Sequence, residues 1–225
     1  MLLTARRQFY RLRSRLQGNS VAPPLLQCWQ RSALHRRNCW RQLEFLVVDT
    51  ETSALNVSEG ELLSIGWVVI AAGSVRLGST RHILLKPRRS VGSSAAIHQL
   101  RDCELSAGIS VESMMPELLQ AAEGRVLAFH HAPMDLAFLN SISQRLYRAP
   151  LLLPWVDTLQ LEKQSLERRQ LPIGANALRL GSCRSRYNLP VYPAHNALMD
   201  ALATAELLLA QLSHRGEDQR LGDLL

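Results

Sequence analysis

Phe45-Leu46-Val47-Val48-Asp49-Thr50-Glu51-Thr52 is the stretch that decides how this chain is read. Four apolar residues make a short strand that ends in Asp49. Successive side chains of a strand point to opposite faces, so if extended backbone persists, Asp49 and Glu51 share one face. Two carboxylates side by side repel each other unless a cation binds or one takes a proton. An Asp-x-Glu pair alone says little, because most such pairs are exposed turn residues.

Outward from this stretch the pattern alternates. Leu62–Ala71 reads as a second strand rich in β-branched residues, Gly73 as a turn, and Ser79–Lys86 as a third strand closed by Pro87. Three adjacent strands predict an antiparallel meander. A Ser/Gly-rich stretch follows, then a helix over Val111–Ala122 ended by Gly124, and a fourth strand at Val126–Phe129. Pro133 opens a helix running to about Arg148. Trp155–Asp157 reads as a fifth strand, with Thr158 or Asp157 as cap of the next helix, and further helices start near Ala175 and Asn196. Strands first and then strand–helix alternation predict an α/β fold, a mixed five-stranded sheet flanked by helices.

Two more segments carry acids. Asp135, in His130-His131-Ala132-Pro133-Met134-Asp135, falls in the first turn of a helix after a buried strand. There it could simply complement the helix dipole. Asp200, in His195-Asn196-Ala197-Leu198-Met199-Asp200, interrupts a helical surface of small and apolar residues, and an acid beside such a surface needs a partner. Five residues of helix turn about 500°, leaving His195 and Asp200 about 140° apart. They face one site only if His195 lies on the loop before the helix, which Pro193 favours. Together the segments bring four carboxylates to one sheet edge. Hard divalent cations, Mg²⁺ or Mn²⁺, would neutralise them. Two such ions about 3.5–4 Å apart can hold the attacking and leaving oxygens of a phosphodiester. A neutral imidazole nearby can take a proton from the attacking water.

In order and spacing these stretches, with Ala96-Ile97-His98, resemble the DnaQ-like (DEDDh) 3′–5′ exonucleases, the family of the epsilon proofreading subunit of bacterial DNA polymerase III. The resemblance covers residues 44–214. It implies a ribonuclease H-like fold, with two divalent cations as cofactors. Asp49, Glu51 and Asp200 would hold the main ion, Asp49 would bridge to the second, and Asp135 would support the pair. His195 would be the general base, since Asn196 stands where the tyrosine subtype has its Tyr. Thr52, Leu55 and His98 would contact the terminal nucleotide. The implied reaction releases nucleoside 5′-monophosphates from a DNA 3′ end, single-stranded DNA being the expected partner. The alternatives are an exoribonuclease of the same fold, or a non-catalytic nucleic-acid-binding module. The second suits these acids poorly, because they would repel an anionic ligand. Two positions depart from the family pattern: Ala54 replaces a frequent Gly, and His131 a frequent Asn.

The chain has 225 residues, 47% hydrophobic, with a formal net charge of +7. No apolar run reaches the roughly 18 residues of a membrane span. The four cysteines lack metal-site spacing and read as thiols of a reducing cytoplasm. Residues 1–43 hold nine arginines and no acid; the remainder holds 17 basic and 19 acidic residues. We therefore divide the chain into a basic helical extension (1–43), a nuclease domain (44–214) and a C-terminal tail (215–225). The extension reads as two short helices split at Gly18–Pro24. It could serve as a packing element, a contact for nucleic acid or a membrane surface, or a mitochondrial-type transit peptide. Gln211-Leu212-Ser213 begins like a sliding-clamp peptide, but His214-Arg215 are polar where that peptide needs apolar groups.

Overall fold

The computed structural model describes residues 2–18, 20–32, 34–87, 105–193 and 195–225. Two N-terminal helices, α1 (Leu2–Leu16) and α2 (Pro23–Arg31), precede the first strand. Then follow β1 (Phe45–Thr52), β2 (Leu62–Ala71), β3 (Ser74–Leu84), α3 (Val111–Ala122), β4 (Val126–Phe129), α4 (Ala132–Tyr147), β5 (Trp155–Asp157), α5 (Thr158–Arg168), α6 (Leu180–Arg186), α7 (Ala197–Arg215) and α8 (Leu221–Leu224). The sheet order is β3-β2-β1-β4-β5. β1 pairs antiparallel with β2 and parallel with β4, so the expected mixed sheet and meander are present.

β1 is buried on both faces, and its alternation sorts two cores. Leu46 and Val48 join Leu127, Phe129, Phe138 and Met115 on one side. Phe45 and Val47 join Val68, Ala205, Leu208 and Leu212 on the other, under α7. Asp49 and Glu51 continue the parity of Val47 and so lie on the α7 side. Thr50 continues that of Val48.

Three boundaries differ from the sequence reading. β1 does not stop at Asp49, because the ladder to β2 runs on to Thr52. β3 begins at Ser74 rather than Ser79: Ala72 and Gly73 both adopt positive φ, so the turn takes two residues and pairing resumes at once. Of the two cap candidates for α5, Asp157 serves: its carboxylate accepts from Leu159 N, and Thr158 is already helical. α6 begins at Leu180, after turns over 175–178. The two N-terminal helices form as expected, and Leu25, Cys28 and Trp29 of α2 belong to the larger core. Leu221 and Leu224, near the C-terminus, pack in the smaller core beside Trp40 and Leu43. Among the described residues no helix is long and apolar enough to cross a membrane.

Candidate active site at the sheet edge

Strand parity delivers Asp49 and Glu51 to the start of α7, where Asp200 waits in the first turn. One carboxylate oxygen from each of the three lies within 4.8 Å of the others. α7 reaches this position because Gly66 faces Asp49 across the β1–β2 ladder. A Cβ on Gly66 would lie 2.3 Å from Leu198 N and 2.4 Å from Ala197 C, so only glycine lets the helix sit this low on the sheet. This residue was absent from the sequence reading: a lone Gly in a strand signals close backbone approach without saying by what.

Asp135 approaches from the other face, in the first turn of α4. It is buried, and Thr50 Oγ1 donates to its Oδ1 at 2.7 Å. The central residue of Asp49-Thr50-Glu51 thus holds the fourth acid while its neighbours face α7. Asp157 fixes the start of α4 by accepting from His131 N (2.9 Å) and Ala132 N (3.0 Å), besides capping α5. His131 takes φ +78, a conformation in which Asn is also at home, so the exchange at this position keeps the backbone path. His130 turns away from the acids, 2.8 Å from Thr158 Oγ1 and 2.9 Å from Leu178 O.

His195 lies on the loop before α7, as the spacing demanded, with φ +68. Its backbone N–H donates to Asp200 Oδ2 at 2.8 Å, and Asn196 caps the helix by accepting from Met199 N. The path into this loop is anchored by a buried arginine that the sequence reading passed over. Arg184 Nη2 donates to Pro190 O (2.7 Å) and to Glu206 Oε2 (2.8 Å), and its guanidinium lies over the Tyr192 ring at 4.7 Å. Tyr192 OH donates to Glu206 Oε1 at 2.8 Å. These partners lie 14 and 22 residues apart, so no local pattern signals them.

The expected nucleotide contacts fare differently. Thr52 is buried and its hydroxyl donates to Ala54 O (3.0 Å), whereas Leu55 is 83% exposed beside the acids' strand. Ala54 is not among the positive-φ residues, so the backbone there does not require the family's glycine. His98 lies outside the described residues.

Burial dominates the electrostatics of the four acids. Burial, then the neighbouring Asp135, Asp200 and Glu51, holds the Asp49 carboxyl well above the usual range. Burial, with Asp200 adding, pushes Glu51 up to about 7. Burial also pushes Asp135 up to about 7, against the Thr50 hydrogen bond, and raises Asp200 against the His195 N–H. Clustered oxygen ligands that resist ionising without a counter-charge fit hard divalent cations.

Known proteins share sequence and fold with this chain. The chain is 30% identical over 166 residues to the DNA polymerase III PolC-type protein of Thermotoga maritima, covering 73% of this chain and 12% of that one. It is 27% identical to the DNA polymerase III subunit epsilon of Pasteurella multocida, covering 73% and 66% respectively. It thus spans only a small part of the PolC-type relatives. The nuclease domain of 3′hExo, a DEDDh family member solved bound to rAMP, superposes with a TM-score of 0.64 at 12% identity, over 81% of this chain and 98% of that one. The RNase_T exonuclease model matches residues 46–208, and with the ribonuclease H-like sheet and its gathered acids this chain belongs to that exonuclease family.

Proposed function

We propose that this protein removes nucleotides one at a time from the 3′ end of DNA, single-stranded DNA being the preferred substrate. The observation that carries the reading is the triad of ligand oxygens from Asp49, Glu51 and Asp200 beside the His195 loop. In this reading Asp49, Glu51 and Asp200 would hold one divalent cation, Asp49 would also serve the second, and Asp135 would support the pair. When bound, the ions, Mg²⁺ or Mn²⁺, would supply positive charge to the attacking and leaving oxygens of the phosphodiester. His195 accepts the proton of the attacking water. Thr52, Leu55 and His98 contact the terminal nucleotide. The catalytic unit is residues 44–214, braced by residues 1–43 and 215–225. Free thiols at Cys28, Cys39 and Cys183 suit a reducing cytoplasm.

DNA is preferred because the relatives above are named DNA polymerase III components. The rAMP bound to 3′hExo makes RNA the comparison to run. Oligonucleotides of both sugars, labelled at the 5′ end, are incubated with Mg²⁺, with Mn²⁺ and with excess chelator. A descending ladder with DNA in either metal, abolished by chelator, is the expected result. Immediate release of the labelled 5′ nucleotide overturns the polarity. A ladder with RNA alone overturns the substrate, and full activity in chelator overturns the metal site.

A further inference from the structure

α1 carries two faces that the sequence pattern alone does not separate. Leu3, Arg7, Tyr10 and Ser14 turn toward the body. Leu3 and Tyr10 pack against the larger core, and Ser14 is buried. Arg7 donates to Leu152 O (3.0 Å) and Trp29 O (2.9 Å), and its guanidinium lies 5.7 Å from the Trp29 ring centroid. The helix is therefore fixed in orientation. Its opposite face is a second apolar stripe at i, i+4, i+7, i+11: Ala5, Phe9, Leu12 and Leu16, all exposed, the last three by 57%, 54% and 89%. At 100° per residue, Arg6 and Arg13 border this stripe on one side and Arg15 on the other. All three are exposed.

We propose that this face of α1 docks the protein onto an anionic phospholipid surface. The helix would lie in the interface plane, with Phe9, Leu12 and Leu16 among the acyl chains and the arginines at the headgroups. The occupant follows from charge and polarity together. A second copy of this chain would bring arginine borders against each other with no acid to pair, since residues 1–43 contain none. A nucleic-acid backbone would engage the arginines but leave three large apolar side chains without contact. Anionic lipid satisfies both components, and each arginine near such a surface adds attraction that salt weakens.

The test uses the full-length protein, sedimented with phosphatidylcholine vesicles that contain or lack phosphatidylglycerol. Binding to the anionic vesicles, well above that to the neutral ones and weakened by salt, is the expected result. The variant Phe9→Gln/Leu12→Gln/Leu16→Gln keeps helix-forming residues at exposed positions. It should partition at least about tenfold more weakly, because little apolar area remains to bury. Its melting temperature and its activity on a free oligonucleotide should match wild type. Leu16→Gln alone, at the most exposed position, should show part of the loss if the triple variant proves unstable. Absence of preference for anionic vesicles overturns the proposal, as does undiminished binding by the triple variant. It is equally overturned if the triple variant instead loses affinity for DNA or breaks up a dimer.

Discussion

Asp49 and Gly66 stand opposite each other in the β1–β2 ladder, and the missing side chain of one sets the surroundings of the other. The backbone of Ala197 and Leu198 occupies the space a Cβ on Gly66 would need, with Ala197 O only 2.5 Å from that position. α7 therefore begins directly over β2 at Gly66, next to Asp49 on β1, and Asp200 in its first turn meets Asp49 and Glu51.

Gly66→Ala should lift the start of α7, because backbone cannot yield as a flexible side chain can. Overpacking of this kind costs about 1–3 kcal/mol. A shift of about 1 Å at a catalytic group costs on the order of 100-fold in rate. The variant should fold with a lowered melting temperature, lose turnover on that scale and bind Mn²⁺ more weakly. Wild-type turnover would mean that the close approach does not set the position of Asp200.

The raised carboxyls predict a pH dependence for the metal-free protein. Glu51 and Asp135 titrate near 7 in the folded chain, from ordinary values of 4.5 and 3.8, and Asp49 lies higher than its ordinary value. Between those limits the folded state holds more protons than the unfolded state, so stability falls as pH rises. The chelated protein should be most stable below about pH 3.8 with respect to these groups, and its melting temperature should drop toward about pH 7. Mn²⁺ should stabilise it increasingly over the same range, because the metal competes with protons. Asp49→Asn should flatten the metal-free profile, abolish most of the Mn²⁺ stabilisation and abolish turnover. A flat wild-type profile in chelator would remove the buried, mutually repelling acids from the account.

Much of this site is legible in β1 itself. Parity puts Asp49 and Glu51 on one face, and the placement of His195 before the helix follows from the 140° mismatch and Pro193. What stays hidden depends on partners far along the chain. Gly66 matters only because Leu198 lies over it. Thr50 matters only because α4 starts where Asp157 holds it. Pairings such as Arg184 with Glu206 leave no periodic trace. The sequence pattern places the start of β3 too late, at Ser79, because nothing in it shows that Ala72 and Gly73 complete the turn and that pairing resumes at Ser74.

Thr50→Val tests the link between the two faces of β1. Val fills the same volume but cannot donate to Asp135 Oδ1. Losing a hydrogen bond to a buried carboxyl costs about 1–3 kcal/mol. The bond favours the charged form, so its loss should drive the Asp135 carboxyl further above about 7. Mn²⁺ binding should then require higher pH than in wild type, and Thr50→Ser should restore the wild-type midpoint. An unchanged midpoint in the Val variant would leave Thr50 a packing residue.

His195 and Tyr192 provide the last prediction, which separates a base from the clamp that aims it. His195→Ala should lose roughly 10²–10⁴-fold in rate, the usual size of a general-base contribution, with Mn²⁺ binding retained because all four carboxylates remain. His195→Gln keeps bulk and hydrogen bonding but lacks a basic nitrogen, so it should be nearly as impaired. If His195 only oriented the phosphate, Gln would recover much of the rate. Tyr192→Phe keeps the ring under Arg184 but removes the hydroxyl from Glu206, loosening the loop three residues before His195. It should lower kcat several-fold with little change in KM or melting temperature, and Glu206→Gln should do the same. The loss should vanish when either change is made in the His195→Ala background, because no base is left to misplace; coupled residues are non-additive in this way. Equal proportional losses in both backgrounds would mean that Tyr192 and Glu206 act on the fold at large. A nearly active His195→Ala enzyme would instead remove the base itself, whatever the clamp does.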